Sequence, residues 1–579
     1  MNQQKSYFYD YVIVGAGISG LYTAFELCKK YPSAKLCILE ATNYIGGRLH
    51  SIKYDGLIMD GGGARFNTEQ HRIISLIKEL GLWDKVIPIS GETTYIPIND
   101  LPKTDASIEL KNKFPTIDDF ILFMKNYIKD KKIKRDTLIN STILDFAVEH
   151  FSKEYPKIKQ HLTNIYPYYS ELGVLNAVEG INLFSNEFSN KTKYYILNGG
   201  LEQLADTIYN KLLELKKSNK CNIDIYKETP VLKIQGGLSI VSNSQIGYDI
   251  TAEYQGIEKQ FIANKLILTI PKNKLLQIKM TMYFVKNDKG NDRIDQLFKN
   301  INSVQNEPLY RIYARYPLDK KTHKVWFDGM GKISTNLPIK YIIPVNYEKG
   351  VIMISYTDSK FAKYWFKQVS EGTFEDTLNK QLKLLFPEID IPKAKWFKHC
   401  PWISGAGYWK KCYDRKNIMP QMTEALGHRR NLYICGENYS SHQAWVEGAL
   451  ETSEMVLDKL YKYNHLFNKY ENKFSKTKKH KKHNKHISGG SKIKKTMKNL
   501  SKIKEYTLDE VAKHKTKSDA WIVINGKVAN ITKWIPNHPG GDIIMKGVGK
   551  DATKLFNSIG HDEYARKMVK KYQIGIVKK

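Results

Sequence analysis

Residues 11 to 40 constrain the fold of this chain more than any other stretch. Tyr11-Val12-Ile13-Val14 is a short apolar strand running into Gly15-Ala16-Gly17-Ile18-Ser19-Gly20, an amphipathic helix follows over Leu21 to Lys30, and a second strand, Leu36 to Leu39, ends in Glu40. Each part has a physical role. Gly15 permits the tight turn, Gly17 lets backbone amides approach a pyrophosphate, and Gly20 lets helix and strand pack closely. The helix start, at Ile18 and Ser19, offers unpaired N–H groups and the positive end of the helix dipole. Glu40, followed by Ala41, stands twenty residues after Gly20. A carboxylate there accepts both ribose hydroxyls and repels a 2′-phosphate. The order predicts a βαβ unit that binds a dinucleotide.

At 579 residues the chain is too long for one core, and it has room for about three or four domains. Its net charge of +32 is spread unevenly. Lys473 to Lys504 holds thirteen lysines and no acid, Glu505 to Lys579 contributes +6, and Met1 to Asn472 the other +13. A nucleic-acid-binding domain concentrates its charge in one patch, and this chain does not. Asn472 to Lys504 has almost nothing to bury and reads as a disordered tether. Nucleic acid or another anionic surface is the partner such a tether admits. Six cysteines, at 28, 37, 221, 400, 412 and 435, make no CxxC and no close pairs. That argues against a zinc site and a disulfide framework, and for a reducing compartment. With no apolar signal core and no apolar run of about 18 residues, the expected location is cytoplasmic, nuclear or particle-associated sites being compatible with the basic tether.

The residues beyond Glu40 separate a flavin from a nicotinamide. Gly46-Gly47-Arg48 lies just past the second strand, where a guanidinium can reach a phosphate of the same cofactor. Far along the chain, Asn431-Leu432-Tyr433-Ile434-Cys435-Gly436-Glu437 is another strand ending in Gly-Glu, and Trp445-Val446-Glu447-Gly448-Ala449 opens a helix to about Leu460. On these pieces, with Gly62-Gly63-Ala64-Arg65, Gly199-Gly200-Leu201, Thr229-Pro230-Val231 and Leu266 to Pro271, residues 9 to 460 resemble the flavin-dependent amine oxidase family. That family includes monoamine, polyamine and L-amino-acid oxidases. The resemblance implies FAD, with Glu40, Arg48, Val231 and Glu437 at its adenosine and pyrophosphate, and Gly62, Gly63, Ala64, Arg65, Trp445 and Val446 at its isoalloxazine. It implies an α/β fold: a Rossmann-like FAD-binding domain built from both ends of the body, over about 9–75, 195–270 and 425–460. A mixed-sheet substrate domain and a helical insertion near 110–190 lie between.

For the substrate the resemblance implies more. The arginine matching Arg65 grips a substrate carboxylate in L-amino-acid oxidases, a bidentate contact suited to a planar guanidinium. The alternative is contact with the flavin or a structural carboxylate alone. Tyr408 and Trp445 match two aromatic walls that orient a neutral amine. Gly407 stands where monoamine oxidases carry a flavin-linked cysteine, so FAD is expected to be non-covalent. Two departures accompany these matches. The family's lysine beside the flavin falls on Arg311, and the histidine and tyrosine that help bind an amino acid have no clear counterpart near Gly180 and in Tyr341-Ile342-Ile343.

The last domain opens at Tyr506-Thr507-Leu508-Asp509-Glu510-Val511. Ala520 to Val528 forms a hairpin around Asn525-Gly526, and His538-Pro539-Gly540-Gly541, Asp551-Ala552-Thr553 and Gly560-His561 follow. Residues 505 to 577 thereby resemble the cytochrome b5 family, a small α+β fold. The resemblance implies haem b with His538 and His561 as its two axial ligands, and such a haem moves electrons without binding oxygen. The expected division is 1–472 for the body, 473–504 for the linker and 505–579 for the haem domain. The expected function is oxidation of a C–N bond in an amine or L-amino acid to an imine, with O2, the haem domain or both as electron acceptor. Two other readings stay open: a flavoprotein acting on C–C bonds, and a catalytically silent one whose tether binds an anionic surface or nucleic acid.

Overall fold

The computed structural model describes residues 7–98, 104–187, 192–241, 245–282, 291–427, 430–462, 504–535, 541–558, 568–569 and 572–578. Two compact units divide the chain: Met1–Gln235 with Tyr248–Thr281 and Asp295–Lys459, and Gly236–Gly247 with Met282–Ile294 and Leu460–Lys579. The expected linker, 473–504, lies outside the described residues except for Lys504.

The larger unit is organised by parallel pairing of its first strand. Tyr7–Val14 lies between Lys35–Leu39 and Ile257–Leu268, with Asn222–Tyr226 beyond the former and Leu432–Ile434 beyond the latter. Val12, Ile13, Leu36, Cys37 and Ile38 are wholly buried, because a parallel sheet is covered on both faces. The loops at the carboxyl ends of the central strands therefore meet at one edge, although they come from residues 15, 40, 269 and 435 of the chain. Ligands of open α/β sheets bind at that edge.

A six-stranded sheet forms the second layer, in the order Trp396–Trp409, Val304–Arg315, Val351–Asp358, Tyr341–Asn346, Ile333–Thr335, Thr94–Ile96. Alternation along Val304–Arg315 sends Tyr310, Ile312 and Ala314 into a core with Trp365, Phe374, Leu378 and Leu382. Arg311 and Tyr313 face the other way, onto the Asp60 carbonyl. A run of helices from Asp105–Lys113 to Ala177–Asn186 supplies the expected insertion, around Phe114, Phe120, Phe146, Phe151, Leu162 and Leu172. Capping boxes at Thr116/Asp119 and Thr142/Asp145 fix two of its helix starts. Tyr341 and Tyr356 of the sheet pack against this helical core, and the candidate site lies where the two meet.

The cysteines depart from expectation. Cys28 and Cys221 are joined by a disulfide, their Cα atoms 5.3 Å apart across 193 residues of sequence. Spacing could not show this, because the pair exists only once Asn222–Tyr226 has docked in register beside Lys35–Leu39. Cys37, Cys400 and Cys435 are free and buried, and Cys412 is free and exposed.

In the smaller unit the described strands are ordered Lys504–Tyr506, Gln573–Val577, Lys527–Asn530, Asp519–Ile524, Lys515–Thr516. The hairpin turns at Asn525 and Gly526, with φ of 50° and 73°, the left-handed pair that an Asn-Gly turn requires. Ile522, Ile524, Ile531, Ile535, Val548 and Phe556 make its core. Gly541–Gly547 is 3-10 helical. His538 and His561 lie outside the described residues. No helix among the described residues is long and apolar enough to cross a membrane.

In the chain-entropy account, closing a loop of this length stabilises the folded state by about 5 kcal/mol. Cys28→Ser should therefore lower the unfolding temperature of the body in scanning calorimetry without reductant, and Cys412→Ser should not. Equal unfolding temperatures for Cys28→Ser and wild type would show that the cross-link is absent in solution.

Candidate active site

The glycine turn is built as its spacing requires. Gly15 has φ +106°, and a Cβ on Gly20 would sit 2.0 Å from the Gly15 carbonyl oxygen. The helix Ile18–Lys30 starts at Gly17 with no side-chain cap and no acid in its first turn, so its leading N–H groups are available to an anion. Beside Gly17 the nearest atom to a built Cβ is the Gly46 oxygen at 4.0 Å, and Gly46 N–H donates to the Ala16 carbonyl at 2.8 Å. Ser19 Oγ lies 2.6 Å from Ser453 Oγ, and Ile18 is buried.

Glu40 turns back onto this loop. One carboxylate oxygen accepts from Ala16 N at 2.7 Å, the other from Thr42 N and Oγ1 at 2.9 and 2.8 Å. Thr229 N–H donates to the Glu40 carbonyl at 2.7 Å, which brings Val231 near the same acid, while Ala41 is exposed. A glycine turn, an open helix start and a poised acid fit the adenosine and pyrophosphate of a dinucleotide.

Gly47 packs on Gly17, 3.3 Å from built Cβ to Cα. Arg48, expected at a phosphate, places Nη1 on Glu437 Oε2 at 2.7 Å and on the Gly405 carbonyl at 3.0 Å. Glu437, the acid after Gly436, is 5% exposed, and its Oε1 accepts from Gly407 N at 2.8 Å and Ala444 N at 2.7 Å. One carboxylate thus ties Arg48, 389 residues away, to the nearby Gly407 and Ala444 backbones. Gly62 and Gly63 rest on Arg48: Gly63 N–H donates to the Arg48 carbonyl at 2.9 Å, and a Cβ on Gly62 would sit 1.8 Å from that oxygen. Val446 approaches Gly63 at 4.0 Å. At Gly407 a Cβ would meet Asn438 Nδ2 at 2.2 Å, so no side chain is accommodated where a flavin-linked cysteine would stand.

Arg65, just past Ala64, lies among aromatic rings. Its guanidinium lies 4.9 Å from the Tyr194 ring centre and 5.7 Å from that of Trp445. Burial opposes its charge, but the phenolic groups of Tyr168, Tyr194, Tyr356 and Tyr341 outweigh this and hold it above its usual value. No carboxylate among the described residues pairs with it. Tyr168 stands 5.1 Å from Tyr341 and 5.4 Å from Tyr356. Arg311 closes the group, 4.4 Å from the Tyr356 ring, with Nη1 on the Asp60 carbonyl at 2.9 Å.

Two acids complete the surroundings. Asp358 accepts from Tyr169 N at 2.8 Å and Ser170 N at 2.6 Å, which fixes the turn carrying Tyr168 and Glu171 onto the strand of Tyr356. Glu171 is 5% exposed and accepts from the Tyr166 hydroxyl. Burial, with Asp358 and Glu187 nearby, pushes its carboxyl up to about 8. Tyr408 is 3% exposed, and burial with the fields of Glu171, Asp358 and Tyr356 holds its phenol well above the usual range.

The structure therefore gathers Arg65, Arg311, Tyr408 and Trp445 around residues that sequence reasoning did not single out: Tyr168, Tyr194, Tyr356 and Glu171. Tyr341, in a segment thought to lack the family's substrate-binding tyrosine, is among them. A side chain at Gly180 would need Ile143 to shift, since a Cβ there would lie 2.7 Å from Ile143 Cδ1.

Comparison with known proteins agrees with this geometry. The family model for flavin containing amine oxidoreductases matches residues 18–456, and that for cytochrome b5-like haem/steroid binding domains matches 507–578. The chain is 22% identical over 510 residues to an uncharacterized protein of Acanthamoeba polyphaga mimivirus, covering 78% of this chain and 94% of that protein. It is 53% identical over 73 residues to an acyl-lipid (8-3)-desaturase of Physcomitrium patens, a match confined to 13% of this chain and 15% of that protein. A solved putrescine oxidase variant superposes with a TM-score of 0.57 at 16% identity, over 79% of this chain and 100% of that one. By its matched body and its C-terminal module, the chain belongs to the flavin-containing amine oxidoreductase family, an FAD-dependent amine oxidoreductase joined to a cytochrome b5-like haem-binding domain.

Proposed function

We propose that the body oxidises the C–N bond of an L-amino acid, with Arg65 holding the substrate carboxylate. The observation that carries this reading is the state of Arg65: a guanidinium among rings, in contact with Tyr194 and Trp445, without a carboxylate of its own among the described residues. A cation in such a setting is pre-organised for an anion, and desolvation strengthens the contact. Glu171 does not neutralise it at pH 7, because its carboxyl titrates at about 8. Arg311 adds a second positive charge behind Tyr356. The pocket is therefore suited to a carboxylate-bearing amine rather than to a diamine.

Held at the glycine turn, the start of Ile18–Lys30 and Glu40, FAD would supply the acceptor for the hydride equivalent lost from the C–N carbon. The chain's own residues do the rest. Arg65 fixes one end of the substrate, while Tyr408 and Trp445 supply ring faces that orient a neutral amine. Tyr168, Tyr341 and Tyr408, all buried, keep water from the reacting bond. Arg311 stays charged throughout, since its contacts with Tyr356, Tyr313 and Asp60 outweigh burial; it serves as a fixed charge and not as a proton carrier. For the electrons released, we assign the C-terminal domain of the same chain as an acceptor in competition with O2. The presence of both modules in one polypeptide supports this.

A charge-assisted carboxylate contact of this kind contributes about 3 kcal/mol, so Arg65→Met should raise KM for an L-amino acid by about 100-fold. Unchanged KM would exclude Arg65 as the carboxylate ligand. Above pH 8 Glu171 ionises and competes for Arg65. The affinity of a simple carboxylate inhibitor should accordingly fall as pH rises through about 8, and Glu171→Gln should flatten that profile. A profile that does not move with Glu171→Gln would assign the titration elsewhere. Mixing the full chain anaerobically with excess substrate should reduce the haem after the flavin. Flavin bleaching over an oxidised haem would contradict transfer between the modules.

A further inference from the structure

Arg65 is not the only unmatched cation in the pocket. Lys332 precedes the strand Ile333–Thr335, and its carbonyl accepts from Thr94 N at 2.9 Å. Its Nζ lies 4.5 Å from the ring centre of Tyr341. Tyr341 packs 5.1 Å from Tyr168 and, with Tyr168, Tyr194 and Tyr356, sustains the charge on Arg65. Three other cations near the site have oxygen partners: Arg48 has Glu437, Arg311 the Asp60 carbonyl, and Lys340 the Thr163 carbonyl. Among the described residues Lys332 has none.

From this pairing we infer that the pocket is shaped for a substrate with two anionic groups, an amino acid whose side chain carries its own carboxylate. Arg65 takes the carboxylate next to the reacting carbon, and Lys332 takes the distal one. The inference rests on the carboxylate-binding role proposed for Arg65 and extends it to the far end of the substrate. Two like charges on one group of rings repel each other, and here burial and the Arg65 charge together bring the Lys332 ammonium down to about 7. A single carboxylate on Arg65 leaves Lys332 uncompensated; a second relieves both desolvation and repulsion. Lys332 is only half-buried, and the strand it precedes pairs with that of Tyr341. An ammonium is also a compact charge that tolerates side chains of differing length, unlike a guanidinium fork.

The test uses the FAD-loaded full chain at pH 6, where Lys332 is charged. Glutarate and butyrate are titrated in turn, and binding is read from the change in flavin absorbance. Glutarate should bind at least about ten-fold more tightly than butyrate. Lys332→Gln should abolish that preference and Lys332→Arg should restore it, which a merely structural role for Lys332 would not produce. Equal affinities in the wild type, or a preference surviving in Lys332→Gln, overturn the inference while leaving Arg65 as a carboxylate ligand. Failure of both probes to bind overturns the inference together with the reading of Arg65 on which it rests.

Discussion

The site depends on the Glu437 carboxylate. It is buried, and it takes Arg48, Gly407 N and Ala444 N at once. Each partner leads directly to a functional group. The Arg48 carbonyl supports Gly63, and Arg65 follows two residues later; Gly407 precedes Tyr408; Ala444 precedes Trp445. The segments around residues 48, 407 and 444 thus present their side chains to one space because a single acid holds the Arg48 guanidinium and the backbone N–H groups of Gly407 and Ala444. An unpaired buried carboxylate costs several kcal/mol, so the assembly is held firmly, even though Arg48 is itself 30% exposed and part of its attraction is screened.

Around that tie the pocket is lined with phenols rather than with ion pairs. Tyr168, Tyr194, Tyr341 and Tyr356 surround Arg65 without neutralising it. Ring faces attract a guanidinium by about 1–2 kcal/mol where water is excluded, enough to hold its position and too little to substitute for a counter-ion. The acids nearby do not supply one at neutral pH, because Asp358 is occupied by the Tyr169 and Ser170 amides and Glu171 by its own burial. On the function proposed above, an incoming carboxylate would complete this positive site.

Much of the nucleotide-binding half was legible in the sequence, because its constraints are local. The turn at Gly15, the approach of helix to loop at Gly20, and the acid at Glu40 sit within a single βαβ unit, where spacing translates directly into geometry. The pocket was legible only in part. Arg65, Tyr408 and Trp445 were found through flanking glycines that have backbone reasons to be there. Tyr168, Tyr356, Glu171 and Lys332 have no such flank; they come from helix ends and sheet strands whose proximity arises only when the helical insertion docks on the six-stranded sheet. Tyr341 shows the difference well, since its segment was in view but its side chain could not be aimed from sequence. The Cys28–Cys221 bridge was hidden for the same reason, as strand register across 193 residues decides it. His538 and His561, expected as haem ligands from motif order alone, lie outside the described residues.

The central claim is that the pocket selects a carboxylate beside the C–N bond it oxidises. It is tested most directly by anaerobic flavin reduction, followed as loss of flavin absorbance, with an L-amino acid and with the amine left when that amino acid loses its carboxylate. The account predicts that the amino acid bleaches the flavin and that the matching amine does so at least about 100-fold more slowly at equal concentration. Equal rates for the two, or bleaching by the amine alone, would contradict it.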